Sequence, residues 1–67
     1  MPTIEEIKDR LFHADILYDE VKLVGEVILA TGRHYLHYDQ LQNIAQYNYF
    51  KGIRVHNNEL AIEFMIS

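Results

Sequence analysis

The chain has 67 residues, of which 49% are apolar, with ten Asp and Glu against six Lys and Arg, a formal net charge of −4 and no cysteine. That length gives room for a single small domain over residues 1–67, and the apolar fraction is that of a chain that folds rather than one that stays disordered. Disulfide frameworks, thiolate zinc sites and iron–sulfur clusters are excluded, and scattered cations on an acidic chain disfavour nonspecific nucleic-acid binding.

Thr3 followed by Glu6 is a capping box, and Ile4, Ile7, Leu11 and Phe12 then fall on one stripe of a helix expected over 3–13. Residues 16–38 fit two templates. As strands, Val21, Leu23, Val27 and Leu29 point one way, Lys22, Val24, Glu26 and Ile28 point the other, and Thr31-Gly32 turns into a partner strand over 34–38. As a helix, Asp15, Asp19, Lys22, Glu26 and Arg33 fall on one polar stripe that stops at Gly32. Strands are favoured, because β-branched residues crowd 21–28 and Gly25 inside a helix costs about 1 kcal/mol against Ala.

Asp39 and Gln42 repeat the helix-start signal, Leu41, Ile44, Ala45 and Tyr49 repeat the stripe, and Gly52 is placed to stop a helix over 39–50. A hairpin follows. Asn57-Asn58 forms its two-residue turn, pairing His56 with Glu59, Val55 with Leu60, Arg54 with Ala61 and Ile53 with Ile62. The expected fold class is therefore α+β, helix-hairpin-helix-hairpin with a small antiparallel sheet. The alternative is three helices plus a C-terminal hairpin, the winged-helix-like order, with 39–50 as a DNA-reading helix.

Chemistry is sparse. The hydroxyl nucleophiles are Ser67, Thr3 in a cap and Thr31 in a turn, and no glycine-rich phosphate loop exists, so no enzyme and no cofactor are expected. His34 and His37 with Asp39 resemble metal ligands in composition, but positions i and i+3 of a strand face opposite sides, and a cross-strand pair of His37 with Glu26 is the plainer expectation. Tyr35, Tyr38, Tyr47, Tyr49 and Phe50 could stack on bases only beside a basic groove, so packing is the better account of them.

A core this small leaves a monomer marginal, so self-association, as a homodimer, is expected. The first six residues lack a basic stretch ahead of an apolar one, so no signal peptide is expected, and the longest apolar run, 27–30, is far short of the ~20 residues of a membrane span. A cytoplasmic protein is the expectation.

With both helices on one face of the sheet, Val21, Leu23, Val27, Leu29, Leu36, Ile53, Val55, Leu60, Ile62 and Phe64 point inward. The outer face then offers partner-binding candidates Val24, Ile28, Arg33, Tyr35, His37, Arg54, His56 and Met65, an apolar centre with a charged rim completed by Lys22, Glu26, Glu59 and Glu63. The function expected is a non-catalytic protein-binding module, a small acidic regulator or inhibitor of the kind carried by many phages and mobile elements; a DNA-binding transcription regulator is the alternative. Duplex DNA should give no shift in a mobility assay at physiological salt, since the cations cannot release enough counterions. Sub-micromolar, salt-sensitive binding lost on Arg54→Ala and Lys51→Ala would reverse that expectation.

Overall fold

The computed structural model describes residues 1–32 and 36–67. The first helix, α1 (Ile4–His13), starts as its sequence requires: Thr3 Oγ1 accepts from the Glu6 N–H at 3.0 Å, with Glu5 and Glu6 in the first turn and Arg10 and His13 in the last. It ends without a glycine. Asp15 takes a left-handed φ of 56°, its N–H donates to Phe12 O at 3.0 Å, and the Ile16 N–H reaches back to Leu11 O at 3.0 Å. That is a Schellman closure, sealed by the buried pair Leu11 and Ile16.

Four strands follow in chain order with one helix between the second and third: β1 (Glu20–Val24), β2 (Val27–Thr31), α2 (Tyr38–Ala45), β3 (Phe50–His56) and β4 (Glu59–Met65). They form one antiparallel sheet of order β1-β2-β4-β3, so β2 and β4 are central and β1 and β3 are the edges. This corrects the helix-hairpin-helix-hairpin layout with its small sheet, in which 21–31 was one strand folding back on 34–38. It also removes the three-helix, winged-helix-like alternative, since 20–24 and 27–31 are strands. The turn lies at Gly25-Glu26 instead, where Gly25 has φ 63° and Val24 pairs with Val27. Glycine at the first central position is the signature of a type II′ turn, whose twist matches the strands.

That turn also inverts the expected facing. A two-residue turn pairs Leu23 with Ile28 and Val21 with Ala30, so Ile28 and Ala30 join Val21 on the helix-covered face while Val27 and Leu29 go to the other. Residues 34 and 35 of the expected partner strand lie outside the described residues, and His37 is the N-cap of α2 rather than a strand residue beside Glu26.

In the second hairpin, Asn57 and Asn58 both have positive φ, 50° and 64°, the type I′ pattern, and the register expected from them is present pair for pair from His56–Glu59 to Ile53–Ile62. The second helix is shorter than expected and begins earlier. Gln40 Oε1 accepts from the His37 N–H at 2.8 Å at its start. At its end, Tyr47 and Phe50 leave the helical path to set their rings edge-on against Phe64, 6.0 and 6.4 Å between centroids. Tertiary packing on one aromatic ring overrides local helix preference there.

The core is a single cluster in which Ile7 and Leu11 of α1 and Ile44 of α2 meet Val21, Ile28, Ala30, Ile62 and Phe64 of the sheet, with Ala14 and Ile16 closing the end. Arg10 bridges the helices: its guanidinium donates to Asn43 O at 3.1 Å and lies 5.5 Å from the Tyr47 ring centre. Among the described residues no helix is long and apolar enough to cross a membrane.

Two glycines with positive φ should differ in tolerance. A Cβ on Gly32 (φ 140°) would sit 2.6 Å from the Asp19 backbone nitrogen, whereas one on Gly25 meets nothing within 4 Å. Urea unfolding should show Gly32→Ala losing about 2 kcal/mol or more and Gly25→Ala only about 1 kcal/mol.

Candidate functional site

Both helices cover one face of the sheet, which leaves three places where a ligand could dock: the opposite face, the free edges, and the far end of the second hairpin. The opposite face carries Glu20, Lys22 and Val24 of β1, Val27, Leu29 and Thr31 of β2, Ala61, Glu63 and Met65 of β4, and Arg54 and His56 of β3. It is polar in character. Leu29 lies between Lys22 and Glu63, Ala61 lies between Thr31 and Arg54, and all four central residues of β2 and β4 on this face, Leu29, Thr31, Ala61 and Glu63, are buried. Arg54 Nη1 reaches Glu63 Oε2 at 3.3 Å, and the half-exposed guanidinium screens a carboxylate that is itself nearly buried.

The partner-binding candidates are thus divided. Val24, Arg54, His56 and Met65 share this face. Ile28 does not: it is 3% exposed and packs in the core, because the Gly25-Glu26 turn reversed its facing. His37 caps α2 away from the strands, while Arg33 and Tyr35 lie outside the described residues. The expected apolar centre formed by Ile28 and Tyr35 is not present as drawn.

Exposed apolar side chains gather elsewhere. The β3–β4 hairpin runs past the last β2 pair, Thr31 with Ala61, so the cross-strand pair Val55 and Leu60 projects beyond the described part of the core at 66% and 42% exposure. These two had been assigned to the core by alternation. Alternation reports which face a residue takes, not whether a helix reaches that far along the strand. A second group lies along the β1 edge: Leu23, Val24, Met1, Phe12 and Leu17 are all exposed. A groove of about 310 Å³ opens there between Met1, Pro2, Thr3, Ile4, Leu23 and Ile28, and another of about 330 Å³ between Phe12, Asp15, Ile16, Leu17 and Tyr18. The available sequence signal was Gly25-Glu26 between two β-branched runs, which makes β1 a short edge strand.

Among the described residues, several candidate reactive groups sit in structural positions. Thr3 is occupied as a helix cap, Thr31 is buried in β2, and His13 Nδ1 lies 2.8 Å from Asp9 O. Among the described residues no group of three His, Cys, Asp or Glu is placed to hold a metal ion. The Tyr47 phenol is held above its ordinary pKa chiefly by burial, with Glu6 and Tyr49 adding to the rise and Arg10 opposing it. Compared with models of known protein families, with curated proteins and with solved structures, the chain shows no significant match.

The assignment of faces has a direct check by circular dichroism. Ile28→Glu places a charge in the core and should cost several kcal/mol, enough to unfold so small a domain. Val24→Glu, on the opposite face at the sheet edge, should leave the spectrum unchanged.

Proposed function

We propose that the chain is a non-catalytic protein-binding module, a small acidic regulator or inhibitor of the cytoplasm that docks on a partner protein and also pairs with itself. The observation that carries this reading is the exposed Val55–Leu60 pair, an apolar patch at the end of β3 and β4, with Arg54, His56 and Glu59 on the reverse face of the same hairpin. Monomers seldom hold large apolar side chains in the open as neighbours without a use for them, and exposed apolar patches mark places where proteins meet. The charged side chains at this end of the hairpin, Arg54 and Glu59, are of opposite sign, which suits docking on a protein surface better than on a phosphate backbone. The lack of cysteine suits a reducing compartment. The DNA-reading alternative loses its frame, because the three-helix layout it needed is not the fold.

The test compares the wild-type chain with Val55→Asp/Leu60→Asp, both immobilised and exposed to native lysate with and without nuclease treatment. The reading expects a protein retained by the wild type, then purified and shown to bind it directly, with affinity falling about tenfold or more in the double variant. Both substitutions lie at exposed positions, so circular dichroism should be unchanged. Retention that depends on intact nucleic acid, or binding indifferent to the double substitution, would sink it.

A further inference from the structure

Among the described residues, the β3 edge carries more that discourages an added strand than the β1 edge does. The β3 edge carries a register shift between Phe50 and Gly52 and the cations Lys51 and Arg54, all of which discourage an added strand. The β1 edge is regular from Glu20 to Val24. The Gly25-Glu26 turn closes on Val24 and Val27, so by the alternation of antiparallel ladders Val24, Lys22 and Glu20 spend their backbone groups on β2. The N–H and C=O groups of Val21 and Leu23 then point outward along the edge.

From this arrangement we infer that the β1 edge pairs with the β1 edge of a second copy, joining two four-stranded sheets into one across a two-fold axis at Val21. The inference rests on the self-association half of the proposed function and supplies its surface. Charge selects the occupant and the register. Glu20 and Lys22 share one face of β1 and already form an ion pair at 3.3 Å within the chain. An axis at Val21 sets each Glu20 directly opposite Lys22 of the second copy, whereas an axis at Lys22 would set the two ammonium groups against each other. Val21 of each copy then exchanges both backbone bonds with its counterpart.

The apolar side chains fit the same symmetry. Exposed Leu17 and Phe12 lie at the start of β1, and the groove lined by Met1, Ile4, Leu23 and Ile28 lies at its end. A two-fold axis across the strand exchanges its ends, so Leu17 of each copy comes to the Leu23 end of the other. An isologous interface requires such a self-complementary patch, with a knob and a groove on one surface.

Light scattering after size exclusion tests the pairing at about 100 μM chain, where a Kd of ~10 μM leaves most chains paired. The wild type should run at twice 8.0 kDa. Lys22→Glu and Glu20→Lys should each weaken self-association about tenfold or more by facing like charges, while the exchanged chain carrying both substitutions recovers it. Mixing the two single variants should give a heterodimer, an outcome that a merely structural role for these exposed residues would not produce. Circular dichroism should be the same throughout. A monomeric wild type overturns the inference, and so does a dimer indifferent to Lys22→Glu or lost instead on Val55→Asp/Leu60→Asp. None of these outcomes decides partner capture, which depends on Val55 and Leu60.

Discussion

The joint between β2 and β4 is the constraint on which the rest of the molecule depends. Each hairpin is closed by its own two-residue turn, but an isolated two-stranded hairpin is at best marginal in water. Pairing β2 with β4 sets Ile28 beside Phe64 and Ala30 beside Ile62, and so makes one apolar floor wide enough for Ile7, Leu11 and Ile44. A slip of one residue along that joint would turn one of the two strands over, bringing Leu29 or Glu63 under the helices and sending Ile28 or Phe64 into water. Small residues help to hold the register, since Ala30 and Ala61 on the two strands are fully buried.

Much of this was legible where a local signal stood alone. Thr3 and Glu6 placed the first helix to within a residue of its observed start, and Asn57-Asn58 fixed the second hairpin, because each signal acts through bonds made within its own few residues. The middle of the chain was less legible. Gly25 was weighed as a cost to helix rather than as the first corner of a type II′ turn, and Thr31-Gly32 drew the turn six residues late. Every facing on β2 then inverted, so Ile28 was offered as a surface residue and Leu29, which is buried, was assigned to the helix-covered face instead of the opposite one. The early end of α2 was hidden for another reason: the pull on Tyr47 and Phe50 comes from Phe64, which no window around 45–50 contains. The candidate site suffered most, since exposure along a strand depends on how far a helix reaches over it.

The surface that results is uneven in a way that bears on function. On the face turned from the helices, Leu29, Thr31, Ala61 and Glu63 are buried, and Arg54 and Glu63 are paired across two strands. Apolar exposure is pushed instead to the perimeter, to the β1 edge and to the end of the β3–β4 hairpin. The two proposed docking surfaces lie apart, so occupation of one would leave the other open.

The two tight turns also set the order in which the chain can find its shape. A β-hairpin closes in ~1–10 μs, and both β1–β2 and β3–β4 need only residues already adjacent in sequence. The β2–β4 joint draws its partners from opposite halves of the chain, so its loop-closure entropy must be met before any of its contacts are gained. The fold therefore has fast local pieces and one slow search. Substitutions at the Gly25-Glu26 or Asn57-Asn58 corners should be felt in how often a hairpin is ready for that search, and substitutions at Ile28 or Phe64 in whether the search, once made, is kept.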